Sequence, residues 1–165
     1  MNMPEMDVFT GRLNPDMCLV TARAGAERAG CLVGFASQCS MRPFRFVVWL
    51  SKVNRTFAVA CAADFLTVHV LTPRQFGLAA LFGGVSGDQV DKFARTGWRE
   101  EHGGAVVLDE AAAWFVGRVV QRTDAGDHVG FILDPVQCGE REQGGGGALL
   151  RLSDALTIDP GHPVD

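Results

Sequence analysis

The runs FRFVVWL (44–50), FLTVHVL (65–71), AAAWFVGRVVQR (111–122) and HVGFILDPVQC (128–138) limit this chain more than any other feature. β-Branched and aromatic residues crowd them. Leu66, Val68 and Val70 share one side of an alternating pattern, the two-residue period of a strand. Trp114, Val116, Arg118 and Val120 alternate in the same way with Phe115, Gly117 and Val119. The turn TDAGD (123–127) joins the last two runs as a hairpin. MCLVTA (17–22), CLVGFA (31–36) and AVVLD (105–109) add three strands, which brings the expected number to about seven or eight. No regular strand–helix alternation separates them, so a doubly wound parallel sheet is excluded. The pattern predicts a mainly β fold closed as a barrel.

Helical signals are few. NRTFAVACAAD (54–64) predicts a short helix capped by Asn54, with Phe57, Ala60 and Cys61 on one face. TPRQFGLAALFGG (72–84) predicts the clearest one: Thr72 caps it, Pro73 fits its first position and Gly83 ends it. SGDQVDKFAR (86–95) reads as a third, capped by Ser86 or Asp88. Pro135 cannot donate to a ladder, so its strand is expected to end or bulge there. ALLRLSDALTI (148–158) fits either a last strand or a short helix, and Gly144–Gly147 a loop.

The 165 residues fit a single domain, its core at about 9–139, followed by a Gly-rich loop at 143–147 and a C-terminal segment at 148–165. A net charge of −4 provides no global basic field for nucleic acid. Apolar runs are too short to span a bilayer, and MNMPEMDVFTG lacks the basic start of a signal peptide. Five cysteines, without a C-x-x-C pair, argue against a disulfide framework or a zinc site. Reduced thiols in a cytoplasmic protein are the expectation, with Cys18, Cys31 and Cys61 as small buried hydrophobes. His69, His102, His128 and His162 form no helical metal spacing, and no metal is expected. Dinucleotide, P-loop and nucleophile-elbow signatures are absent.

Three stretches could carry chemistry. In GCLVGFASQCSMRPF (30–44), small and polar residues lie between two strands. That arrangement lets a flat ligand reach main-chain N–H groups, or it is an edge strand running into a loop with its serines in water. SKVNRT (51–56) offers cations and hydroxyls at a helix start, which suits a phosphate or an ordinary cap. GDH (126–128) places His128 at the mouth of a hairpin, as a site residue or an exposed strand end. Lys92 in DKF (91–93) is by itself a surface lysine.

In this order and spacing, the stretches resemble the flavin reductase-like, FMN-binding split-barrel family. The S-x-x-P segment, the N-x-T that follows it, and V-L-x-x-x-Q-x-x-L-A-x-x-F downstream carry most weight, and the match runs from about Met17 to Gln137. The resemblance implies a split β-barrel homodimer with two or three short helices and flavin near the subunit interface. It implies that Leu32, Val33, Gly34, Ser37, Gln38, Cys39 and Ser40 line the isoalloxazine ring and ribityl chain. Ser51, Lys52, Asn54 and Thr56 would hold the phosphate, Lys92 would join the cofactor-binding set, and His128 would lie where the nicotinamide stacks. Gln38 and Phe44 replace the family's serine and proline, and Leu133 and Pro135 depart from its pattern after GDH. The implied activity is NAD(P)H-dependent hydride transfer to FMN or FAD, with a monooxygenase as a partner for the reduced flavin. The alternatives are another donor such as a deazaflavin, or a non-enzymatic flavin- or haem-binding module.

Overall fold

A computed structural model describes residues 3–84, 90–141 and 147–159. The chain begins with helix α1 (Met3–Thr10). β1 (Cys18–Ala24) and β2 (Glu27–Val33) then form a hairpin. Gly25 adopts φ +61° in its two-residue turn, a conformation in which a Cβ would be strained. The strands therefore continue through Arg23 and Arg28, further than the sequence pattern predicts. β3 (Ala36–Met41), β4 (Phe44–Ser51), helix α2 (Arg55–Cys61) and β5 (Phe65–Val70) follow. A 3₁₀ turn at Pro73–Gln75 leads into α3 (Phe76–Gly84). Short strands β6 (Trp98–Glu100) and β7 (Val106–Leu108) pair separately. The long hairpin of β8 (Ala113–Asp124) and β9 (His128–Glu140) precedes a one-turn helix, α4 (Leu152–Ala155).

Seven strands form one antiparallel sheet in the order β2-β1-β5-β8-β9-β4-β3. Mainly β architecture with short helices is found as predicted. The barrel, split or otherwise, is not: the sheet is open, with β2 and β3 as its two edges. Strand number alone does not close a sheet, because closure needs the two edges to hydrogen-bond. Here β2 passes through Gly34 and Phe35 straight into β3, which among the described residues pairs with β4 alone.

Both halves of the sheet still share one core. Val20, Val33, Val48, Leu66, Val68, Phe131 and Leu133 pack with Val59 and Ala60 of α2. A second cluster on the other face joins Leu19, Leu71, Leu78, Phe82, Phe93 and Leu150. β1 is the wall between them, so Cys18 to Ala22 are all buried. Gly30 permits α3 to approach β2: a Cβ there would lie 2.7 Å from the Phe82 ring.

Local signals hold where the chain itself supplies the partner. Asn54 caps α2 by accepting the Thr56 N–H. Thr72 and Gln75 form a capping box before α3. At Pro135 the β8–β9 register shifts, and the bulge keeps the strand running to Glu140. Other expectations are corrected. The inner face of α2 is Thr56, Val59 and Ala60, one position off the predicted one, and Cys61 is exposed. Around DKF the described backbone is a 3₁₀ turn, Lys92–Ala94, capped by Asp91. Positions 86–89 of the predicted helix, with Ser86 and Asp88, lie outside the described residues, as do His162 and most of the Gly-rich loop. Among the described residues no helix is long and apolar enough to cross a membrane.

His69 is fully buried and joins three strands. Nδ1 donates to the Leu19 carbonyl (3.0 Å), and Nε2 accepts the Leu108 N–H (3.0 Å). Burial lowers its pKa from 6.5 to about 4, with the Leu19 bond opposing. The unfolded chain therefore takes up the proton first as pH falls. The neutral ring's contribution is complete above pH 6.5 and is lost progressively down to about pH 4. That difference corresponds to about 3 kcal/mol. Urea unfolding measured across this window is expected to show the loss. His69→Phe should be less stable at neutral pH and should lose the histidine part of the slope. An unchanged pH profile in the variant would mean another group carries it.

Candidate functional site

The polar stretch after β2 is a strand. β3 pairs with β4 as Ala36↔Val48, Ser37↔Val47 and Gln38↔Phe46, then shifts register at Cys39 and resumes at Ser40↔Arg45. The Trp49 N–H donates to the Phe35 carbonyl (2.9 Å), which sets the phase of the ladder. Alternation then turns the Ser37 main chain toward β4 and the amides of Ala36 and Gln38 toward the open edge. Ser37, Gln38 and Cys39 are exposed. Two side chains fold back on their own segment: Gln38 Nε2 donates to the Ser40 carbonyl (3.2 Å), and Ser40 Oγ to the Pro43 carbonyl (2.6 Å). Leu32 and Val33 face inward, and Leu32 packs against α3.

At the far end of β4, register brings distant residues together. Ser51 stands opposite His128 across the β4–β9 ladder. The His128 ring lies 5.1 Å from that of Phe35, tilted by 53°. Its Nδ1 is 2.7 Å from Asp127 Oδ1. A carboxylate there calls for a proton on Nδ1, which leaves Nε2 for a ligand. The same bond holds the Asp127 carboxyl below its ordinary pKa. Lys52 donates its main-chain N–H to the Asp127 carbonyl (2.9 Å) and its ammonium to both oxygens of Asp124 (3.0 and 2.8 Å). Asp124 also accepts the Gly126 N–H (3.0 Å), and the Lys52 bond first, then this one, lower its pKa.

Phe35 meets the His128 ring, Ser51 pairs with His128 and Lys52 bonds to Asp127, so with Gly34 beside Phe35 in the chain these residues share one end of the sheet, next to the free edge of β3. Other expected residues are placed differently. Asn54 is occupied by its cap, and Thr56 is buried, 1 % exposed. Lys92 is not brought to this end. It is 7 % exposed and donates to the carbonyls of Phe82 (2.9 Å) and Gly30 (3.3 Å), with Nζ 5.5 Å from the Phe82 ring centre. Burial lowers its pKa. It therefore ties the end of α3 to β2. Phe35, Asp124 and Asp127 were not singled out from the sequence. All three lie inside the quoted strand and turn, but only the strand register shows that they meet Lys52 and His128.

Burial pushes the Cys18 and Cys31 thiols up to about 12 and about 11, so neither is a nucleophile. Among the described residues no three His, Cys, Asp or Glu side chains gather as a metal site. An open cleft of about 280 Å³ lies elsewhere, between Arg23, Asp64, Phe65 and Gly104, and none of the expected residues lines it.

Fold and site define a mainly β protein with a free sheet edge beside a histidine, a lysine and an aromatic ring. The flavin reductase like domain matches residues 10–156, so the chain belongs to the flavin reductase-like family. It is similar to the FMN reductase (NADH) RutF of Variovorax paradoxus (strain S110), 32 % identical over 117 residues, covering 71 % of this chain and 64 % of RutF. It is also 32 % identical over 100 residues to HsaB of Mycobacterium tuberculosis (strain ATCC 25618 / H37Rv), the reductase subunit of a flavin-dependent monooxygenase, covering 58 % of this chain and 52 % of HsaB. The chain thus spans less than two thirds of either relative. The crystal structure of a flavin reductase domain protein from Arthrobacter sp. FB24 superposes with a TM-score of 0.78 over 99 % of this chain and 98 % of that one, at 16 % identity, a likeness of fold.

Replacing Lys92 with Met is expected to lower stability by about 1–3 kcal/mol, because two buried carbonyls lose a donor. A urea midpoint equal to that of the unmodified protein would show that these contacts contribute nothing.

Proposed function

We propose that this chain is an NAD(P)H-dependent flavin reductase that passes a hydride to FMN, with FAD as the alternative flavin. One observation carries the reading: Phe35, Ser51–Lys52 and His128, from three separate stretches, converge at one end of the sheet. The family match and the relation to an NADH-dependent FMN reductase support it.

The residues fit a flavin on one side well. The edge amides of Ala36 and Gln38 can donate to ring carbonyls, and the small side chains of β3 allow that approach. On the phosphate side Lys52 is an exposed cation, while Asn54 caps α2 and Thr56 is buried. When bound, the flavin supplies N5 as hydride acceptor. The chain's own contribution is to orient and to exclude water. Phe35 offers a flat apolar surface, and His128, held by Asp127, presents Nε2 to a nicotinamide. No side-chain acid is required for hydride transfer.

The same reading includes a homodimer. Phe35, Met41 and Phe44, near the β3 edge, are 60 %, 81 % and 43 % exposed and provide apolar surface for a second copy. It also includes a single domain, a cytoplasmic location, and a monooxygenase as recipient of reduced flavin; the relation to HsaB, the reductase subunit of a flavin-dependent monooxygenase, supports that partner.

Steady-state oxidation of NADH and NADPH with FMN or FAD tests the activity. Turnover only with a deazaflavin, or flavin bound but reduced by none of these donors, would overturn it in favour of another donor or a binding module. Lys52→Ala is expected to weaken FMN more than riboflavin, by about tenfold, because a charged hydrogen bond to the phosphate is lost. Equal losses in fluorescence titrations would remove Lys52 from the phosphate. His128→Ala is expected to raise the KM for the nicotinamide several-fold and to leave flavin affinity close to unchanged. An unaltered KM would exclude His128 from the site.

A further inference from the structure

We infer that Asp124 is a specificity-determining residue that competes with the flavin phosphate for Lys52 and so sets the preference between FMN and riboflavin. This rests on the reading above that Lys52 faces the phosphate. The Lys52 ammonium has three donors, and Asp124 engages it with both carboxylate oxygens at 3.0 and 2.8 Å. Neither partner is loose. The Gly126 N–H holds Asp124 Oδ1 at 3.0 Å, and the Lys52 N–H is tied to the Asp127 carbonyl at 2.9 Å. The β8–β9 turn therefore fixes a carboxylate where a phosphate oxygen would otherwise approach.

Charge reinforces the geometry. The Asp127 carboxylate, 94 % exposed, adds a second negative group on the same turn. A dianionic phosphate must compete with Asp124 for Lys52 and remain beside it, whereas the uncharged riboflavin chain meets no such cost. The Lys52 and Asp124 side chains are 40 % and 64 % exposed, so water and salt moderate the effect without abolishing it. The consequence is a phosphate grip weaker than the cation alone would give, which favours a flavin that exchanges over one held permanently.

Asp124→Asn tests this, because Asn keeps the size and the acceptor for Gly126 while removing the charge. FMN and riboflavin are titrated against the protein by quenching of flavin fluorescence, at low and at high salt. The variant is expected to bind FMN roughly three- to fivefold more tightly at low salt. Riboflavin should bind as before, and the FMN gain should shrink as salt rises. In a Lys52→Met background the same substitution should bring a clearly smaller gain, because only the repulsion between Asp124 and the phosphate is then relieved. Asp124→Ser, a second variant that keeps an acceptor, should follow Asp124→Asn. Unchanged or weaker FMN binding by the folded variants overturns the inference, and so does an equal gain for riboflavin. If neither the unmodified protein nor the variants bind either flavin, the proposed function fails and the inference with it. FMN binding without a gain removes the inference alone.

Discussion

The ladder between β4 and β9 decides where every candidate group stands. Its register runs from Phe46↔Leu133 to Ser51↔His128, and no bulge interrupts it. A slip of one residue would turn the His128 side chain to the opposite face and break its contact with Phe35. The register is held because Val48, Leu50, Val129, Phe131 and Leu133 all bury on the same side. Burial of these side chains is thus what places a lysine, a histidine and two aspartates at one sheet end. The site is a by-product of how the core strands align.

Two buried polar groups complete that frame. His69 and Lys92 lie in the region where the second core cluster meets β1 and β2. Each supplies hydrogen bonds to main-chain groups that neighbouring strands do not provide. His69 joins β5 and β1 to β7, and Lys92 joins α3 to β2. Both have pKa values lowered by burial, the expected result of enclosing a basic group in apolar surroundings. A resemblance that places Lys92 with the cofactor and a structure that places it under α3 differ for a simple reason. A long side chain can fold inward when two carbonyls await it.

Most elements were legible because their determinants are local. Alternating β-branched residues marked β5, β8 and β9, and Asn54, Thr72 and Pro73 marked two helix starts. β3 was harder, since Ser37, Gln38 and Ser40 carry no strand propensity. It is a strand because β4 offers a ladder, and its polar side chains are tolerated because the edge faces water. The short pair β6–β7 was half seen for a related reason: Trp98–Glu100 has too few residues to show a period. Of the site, Lys52 and His128 were named from the sequence, while Phe35, Asp124 and Asp127 were not.

What the sequence determined alone was composition by segment: which runs are strands, where helices begin, and which family the ordered motifs resemble. Those properties depend on neighbours within a few positions. What only the tertiary structure decided was closure and company. The sheet stays open because β2 and β3 never hydrogen-bond, a fact about strands that flank the corner at Gly34 and Phe35. Lys52 meets Asp124 across a sequence separation of 72 because the β8–β9 turn returns to the end of β4. Contacts of that kind arise from strand register and packing, and no local pattern of residues encodes them.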